Sequence, residues 1–447
     1  MSRTQRIAEA LARAIATSAI SGAAVIEVFR AVLGKNYRFA PKVAARLISV
    51  LGQGKRVREF RVRRWLLADP GFLKACAKHR FPALRLHSIA DHDPEMLPAP
   101  SIATTWQIPA IVTTGDLARW LDVEMPRLLW LADARMLEPR TPAGPLRNYR
   151  YRWFAKRSGS ARLIESPKLM LKTLQRRILH YILDAIPPHE AAHGFRSGRS
   201  IVSFAAPHVA QAMVLRMDLS DFFPSISRAR VLALFMTAGY PEKVAAMLAN
   251  LCVNTTPRDV ILDCAVPMNM EQRRWLRQLY DPPHLPQGAP TSPALANLCA
   301  YRLDCRLSGL AKACGAAYTR YADDLVFSGG EGFRRCVERF HVRALAIAME
   351  EGFKPNTRKT AFMSAATSQH IASIVINRKL NIARDDFDLL KATLHNCAKH
   401  GPASQNRLAL PHFREHLMGR IAHVAQVNPA RGAKLRAVFE QVNWLLP

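Results

Sequence analysis

The stretch that most constrains this chain is YTRYADDLVFSG, residues 318–329, where two adjacent aspartates, Asp323 and Asp324, interrupt an apolar, β-favouring run. Ionised carboxylates are costly to hold in such a setting unless a cation or hydrogen-bond donors compensate them. Acids are scarce here: 64 Lys and Arg face 34 Asp and Glu, for a formal net charge of +30. RYADDLVFS alternates like two short strands meeting at a tight turn. Neighbours on a strand face opposite ways, so only one of the two aspartates aims at a given point from a regular strand.

A third acid has a similar setting. AMVLRMDLSDFFPSI (212–226) begins as a strand through Val214, Leu215 and Met217, carries Asp218 near its end, and is limited by Pro224. Carboxylates converging from separate strands repel unless a cation lies between them. Two Mg²⁺ ions about 4 Å apart are the known answer where the chemistry is phosphoryl transfer. Mg²⁺ also takes few carboxylates and completes its shell with substrate phosphates, which suits so sparse an acid set. Taken singly, an aspartate at a strand end is ordinarily a cap or an ion-pair partner. The order of the clusters, and the segment between them, points to more.

That segment is LPQGAPTSPALANLCAYRLDCRL (285–307). Pro286, Gly288 and Pro290 impose a bent backbone open to close approach. Ser292 is expected as an N-cap with Pro293 at the first helical position, and Leu295, Leu298, Leu303 and Leu307 follow near helical period. A Gly-Ala corner ahead of a capped helix offers a flat surface for a base pair. GFKPNTRKTAFM (352–363) puts Lys359 on a turn, where it reads either as a proton donor to departing pyrophosphate or as plain surface charge.

Upstream, YRYRWFAKRSGSARLIESP (149–167) reads as a β-hairpin around the turn KRSGS. Its Lys156, Arg157 and Arg162 suit a loop that closes over a triphosphate, or equally a solvated basic turn. Residues 168–186 are expected as a helix ending before Pro187-Pro188, HGFRSGRS (193–200) as an exposed basic loop, and 115–137 shows apolar residues at helical spacing. Residues 1–90 read as helices with an Arg-rich face. Within them KRVREFRVRRW (55–65) interleaves six basic residues with Phe60 and Trp65, either as a solvated face or as a patch gripping a nucleic-acid backbone. DHDPEMLPAPS (91–101) is Pro-rich and acidic, as a linker would be. Ile15 to Ile26 is apolar and Arg-flanked and reads as an amphipathic helix rather than a signal peptide.

The charge excess points to a polyanion. Nucleic acid is favoured over an anionic membrane surface, because no stretch reaches the ~18 uncharged apolar residues needed to span a bilayer. The eight cysteines show no CxxC pairs and no His at zinc spacing, and are expected as free thiols in a reducing cytosol.

The order LRMDLSDFF, LPQGAPTSP, YADDL, GFKPNTRKT is similar to the palm motifs of reverse transcriptases, and most of all to the bacterial retron type, over roughly residues 115–447. The resemblance implies an α+β right-hand polymerase: a helical basic extension (1–100), fingers (101–211), a palm with a small antiparallel sheet (212–377) and a helical thumb (378–447). It implies Asp218, Asp323 and Asp324 as catalytic, metal-holding carboxylates, with the main-chain carbonyl of Leu219 beside two Mg²⁺. Phe223 matches the steric gate that crowds a ribonucleotide's 2′-hydroxyl, Gln287 and Gly288 the platform under template and nucleotide, and Lys156 and Arg162 the fingers residues that hold the triphosphate, with Lys359 close by. Arg56, Arg61, Arg196 and Arg199, and in the thumb Lys391, Lys399, Arg407, Arg414 and Arg420, are expected along nucleic acid.

Two positions depart from the retron pattern: FAAPH (204–208) has Phe204 where Asn is usual, and IASIVINRKLNI (371–382) has Ile371, Ala372 and Ser373 in place of Val-Thr-Gly. No RNase H domain or Cys/His-spaced endonuclease module is expected after the thumb. The function implied is RNA-templated synthesis of DNA from dNTPs, with a dedicated non-coding RNA as template and primer and a covalent RNA–DNA product. A cytoplasmic place in bacterial anti-phage defence follows from the same likeness, with a possible effector protein. The alternatives are a defence-associated reverse transcriptase outside the retrons, an intron-derived one, or a catalytically inactive RNA-binding scaffold. The intact aspartate set counts against the last.

Overall fold

The structure, a computed structural model, describes residues 3–16, 20–54, 57–79, 95–98, 101–155 and 161–444. The chain forms two compact units, one of residues 1–104, 110–120 and 236–246, the other of 105–109, 121–235 and 247–447.

The first unit is helical: Arg3–Ile15, Gly22–Leu33, Ala40–Leu51, Glu59–Ala68 and Pro70–Lys78. Apolar residues at i, i+4 spacing, such as Ile7, Leu11 and Ile15, turn one face of each helix inward onto Phe29, Leu47, Val62, Leu66 and Phe72. The single helix expected across Ile15–Ile26 is instead two, because the Ser21 hydroxyl caps a new helix by accepting from the Ala24 N–H. Asp69 caps Pro70–Lys78 and takes a bidentate grip from Arg46 (2.9 and 2.8 Å). Segment 236–246 is held within this unit by Arg58, which donates to the Met236 and Leu97 carbonyls, and by an Arg63–Glu242 ion pair at 2.6 Å. In the basic run 55–65, Trp65 packs against the helical core, while Arg61 and Arg64 are exposed.

In the second unit the expected hairpin forms from β1 (Tyr149–Ala155) and β2 (Ala161–Pro167), antiparallel from Tyr149↔Pro167 to Ala155↔Ala161. The helical spacing over 115–137 becomes two helices, Thr114–Leu121, all but its last residue in the first unit, and Met125–Leu131 in the second, parted by left-handed Asp122 (φ 58°) ahead of Pro126. The helix expected over 168–186 is Leu169–Ile178, continued by a wider π-type turn to Leu183.

The central sheet is antiparallel and contains β3 (Met213–Ser220), β4 (Ala316–Tyr321), β5 (Asp324–Gly329), β6 (Lys354–Pro355) and β7 (Ala361–Ser364), in the order β4-β5-β3-β6 with β7 also on β3. One face stacks Phe327 on Tyr318 (4.8 Å) and edges it onto Phe340 (4.8 Å) of the helix Glu331–Glu350. On the other face Val214, Val326 and Met363 join a core formed with Ile371, Ile374, Leu394, Leu417 and Ile421. That core belongs to a three-stranded sheet of β8 (His370–Ile371), β9 (Ile374–Val375) and β10 (Asn381–Ile382) and to the helices Arg384–His400, Phe413–Val427 and Pro429–Glu440. All eight cysteines are free, and no described helix is long and apolar enough to cross a membrane.

Candidate active site

The pairing of β3 with β5 sets Asp218 directly opposite Asp324. Asp323 lies in the two-residue turn between β4 and β5, and its carbonyl accepts from the Leu219 N–H at 3.0 Å. Asp218 and the adjacent pair Asp323 and Asp324, from distant stretches of the chain, thus meet at one end of the sheet. The turn needs Ala322 in the left-handed region (φ 54°), which disfavours a residue with a Cβ. Arg320, fully buried, holds it there by donating to the Ala322 carbonyl (3.1 Å) while gripping Asp304 through both carboxylate oxygens (2.8 and 2.7 Å). The loop HGFRSGRS passes behind: a Cβ at Gly194 would lie 2.9 Å from the Ala322 nitrogen, so only glycine fits.

Asp218 is buried and engaged on both oxygens, by Lys359 Nζ at 2.9 Å and Asn356 Nδ2 at 3.0 Å. Burial raises the Asp323 pKa and Asp218 raises it further, against the pull of Lys359 and Arg162. Burial, then Asp323 and Asp218, push Asp324 up to about 6, opposed by Arg216 and Lys359. Two carboxylates held above their ordinary range mark a place short of positive charge, and the Lys359 ammonium stands where a cation would. Among the described residues no three acidic, His or Cys side chains already enclose a metal. This donor set fits Mg²⁺, which draws remaining ligands from substrate and water.

Around the aspartates, Phe223 is half-buried, with its ring 6.2 Å from Phe195 and 5.7 Å from Phe222. Phe195 in turn lies 6.0 Å from Tyr321. Arg162 is exposed at the start of β2, near enough for its charge to act on Asp323. Gln287 accepts at its carbonyl from the Glu165 N–H at 2.9 Å. Gly288 (φ 133°) lies so close to β2 that a Cβ would meet the Glu165 carbonyl at 3.0 Å. Ser292 is not the N-cap: Thr291 holds that position without a side-chain bond, and the Ser292 hydroxyl instead closes the corner onto the Pro286 carbonyl at 2.7 Å.

The corner is tied to the hairpin by a buried cluster. Glu165 accepts from Asn254 (2.8 Å), Thr256 (2.8 Å) and His284 Nε2 (2.9 Å), while His284 Nδ1 faces the Pro282 carbonyl at 2.7 Å. Both ring nitrogens point at pure acceptors, so both carry protons. Burial opposes that charge, yet Glu165 and the Pro282 carbonyl outweigh it and raise the His284 pKa.

Lys156, with the turn 156–160, and Arg56 lie outside the described residues. Arg199 is exposed and Arg196 half-buried; burial and these two charges push His193 down to about 4. Arg61 is exposed in the first unit. Lys391, Lys399, Arg407 and Arg414 are exposed on or near the C-terminal helices, with Arg414 over the Trp444 ring at 5.8 Å. Arg420 lines a cavity of about 510 Å³ with Asp386, Glu415 and His423.

Of the two departures, Phe204 is fully buried with its ring 5.6 Å from Tyr321, and Ala372 (φ 46°) and Ser373 (φ 66°) form the left-handed turn between β8 and β9. Sequence reasoning missed Arg320, Asp304, Asn356, Glu165 and His284. The available signal was opposite charges inside apolar runs, Arg320 in YTRYA and Asp304 in YRLDCRL.

Residues 154–392 match the family model described as Reverse transcriptase (RNA-dependent DNA polymerase). The retron Mx65 reverse transcriptase of Myxococcus xanthus is 35% identical over 84% of this chain and 82% of its own. The retron Mx162 enzyme of the same organism is 33% identical over 74% and 66%, and the retron Ec86 enzyme of Escherichia coli 32% over 53% and 66%. The chain belongs to the reverse transcriptase family, as an RNA-directed DNA polymerase of the retron type.

Proposed function

We propose that this enzyme copies a dedicated non-coding RNA into DNA from dNTPs at the end of the sheet that carries Asp218, Asp323 and Asp324. The observation that carries the reading is the meeting of three carboxylates, two of them raised in pKa, with a lysine ammonium on the third. Reverse transcriptases generally use divalent ions. Two Mg²⁺ held by these side chains and the Leu219 carbonyl would activate the primer 3′-hydroxyl and offset charge on the triphosphate.

The chain's own residues do the rest. Asn356 and Lys359 keep Asp218 oriented. Lys359 is also within reach to donate a proton to pyrophosphate. Arg162, with Lys156, meets the triphosphate. Gln287 and Gly288, locked to β2, support the base pair, and Phe223 excludes a 2′-hydroxyl. In this reading residues 101–211 are fingers, 212–377 palm and 378–447 thumb. Arg56, Arg61, Arg196, Arg199, Lys399, Arg407, Arg414 and Arg420 follow the nucleic-acid backbone.

The same reading includes RNA priming with a covalent RNA–DNA product, and a role in anti-phage defence with an effector protein in the bacterial cytoplasm, where eight unpaired thiols stay reduced. Sequencing the nucleic acid that co-purifies from the native host tests it. One structured RNA joined to DNA is expected. A heterogeneous RNA population, or DNA with no attached RNA, refutes the retron role. Asp323→Asn with Asp324→Asn should abolish dNTP incorporation and keep RNA binding; retained synthesis removes the assignment of the site.

A further inference from the structure

Arg216 has no place in the chemistry above. It lies two residues before Asp218 on β3, so its side chain shares the face of the sheet that carries Asp218 and, across the pairing, Asp324. Its own cross-strand partners on that face are Val326 and Ala361. An arginine among such neighbours ordinarily finds an acid. The Arg216 side chain has no hydrogen bond or ion pair among the described residues, and its Nε is buried without a partner. Its charge reaches Asp324 only at a distance. The side chain as a whole is half-buried, so part of the guanidinium remains open.

Direction along β3 decides what it meets. C-terminal to Asp218 the strand leads to Phe222 and Phe223, the nucleotide side. N-terminal to it on this face come Arg216 and then Val214, which is fully buried in the core shared with Met363, Ile371 and Ile374. Arg216 is therefore the last open position before the face is covered. Two residues of strand span about 7 Å, a step of one to two nucleotides at ~3.4 Å rise each. If the 3′ end sits at Asp218 and the nucleotide on the Phe223 side, the growing strand leaves over Arg216.

We propose that Arg216 grips a backbone phosphate of the growing strand, one or two nucleotides behind its 3′ end. A guanidinium matches a phosphodiester in shape and charge, and no described residue already bonds this one. Arg216 is thus a positioning residue that fixes the primer terminus over the carboxylates. This rests on the assignment of the aspartates above.

The test is equilibrium binding of the full-length enzyme to an RNA-template, DNA-primer duplex carrying one neutral methylphosphonate at each of the last four primer phosphates, or at the template phosphates opposite. For the wild type, neutralising one of the first two primer phosphates should cost about tenfold in affinity. Arg216→Met should lose a similar factor on the unmodified duplex and be indifferent to that same replacement, with Arg216→Lys between them. The salt slope of binding should fall by about one in Arg216→Met. The proposal is overturned if Arg216→Met remains sensitive at every primer position, or if the indifference falls on a template phosphate. It is also overturned if binding is unchanged and only kcat falls, which would make Arg216 a counter-charge for Asp324. Asp323→Asn with Asp324→Asn separates the two levels: extension by that variant would defeat the active-site reading itself, whatever Arg216 does.

Discussion

Replacing Asp324 by Asn should make the metal-free protein more stable while destroying its synthesis of DNA. Burial and the charges of Asp323 and Asp218 lift the Asp324 carboxyl from 3.8 to about 6. Such a shift corresponds to roughly 3 kcal/mol against the ionised form. Water still reaches the half-buried side chain, which reduces the figure to about 1–2 kcal/mol. The sign follows from proton linkage. The folded pKa lies above the unfolded one, so the folded chain binds the proton more tightly. The penalty is full above pH 6 and fades as the pH falls towards 4. Asn is close in size and carries no charge, so the variant escapes it. Urea denaturation without divalent ions, followed by tryptophan emission, should therefore show Asp324→Asn more stable than the wild type by about 1–2 kcal/mol at pH 7.5, with the gap narrowing towards pH 5. Added Mg²⁺ should remove the wild type's deficit and do less for the variant. An Asn variant that is equally or less stable at pH 7.5, or a gap that ignores pH, would refute the claim that these carboxylates are held under electrostatic stress.

Other outcomes can be read directly. His284→Ala leaves the Glu165 carboxylate buried without its cation and should cost about 3–5 kcal/mol, with a raised KM for dNTPs because the Gln287 corner loosens from β2. Because the folded pKa of His284 is raised, its stabilisation is complete below about pH 6.5 and lost as pH rises beyond it; denaturation across pH should show that loss in the wild type and not in the variant. Phe223→Ala should admit ribonucleotides in single-nucleotide extension assays; an unchanged dNTP preference rejects the gate. Ser373→Gly should relieve a left-handed residue and stabilise by about 0.5–1 kcal/mol in thermal melts; a loss instead would mean that the serine side chain has an unseen role.

The strands bearing Asp218 and Asp324 with the tight turn that carries Asp323, the hairpin 149–167 and the mixed α+β character were legible because each rests on local pattern: alternation, a turn residue, a proline limit. What surrounds the site was not. Arg320 and Asp304 are sixteen residues apart on different elements, and nothing local says that they face each other. Glu165 and His284 are separated by 119 residues. The Ser292 cap failed for a related reason: the rule for an N-cap sees only the next helical turn, whereas the hydroxyl found a carbonyl six residues earlier. Helix breaks at Ser21 and Asp122 escaped because hydrophobic period continues across them while the backbone does not.

The first unit is stitched from three separated stretches of chain, with Leu97 bonded to Gly239, and Arg58 and Arg63 reaching residues 236 and 242. It is therefore no detachable cassette. A truncated variant starting after residue 104 would leave segments 110–120 and 236–246 without the helices they fold against. Trimming this enzyme to a minimal polymerase, or grafting its front end onto another, calls for moving all three stretches as one piece.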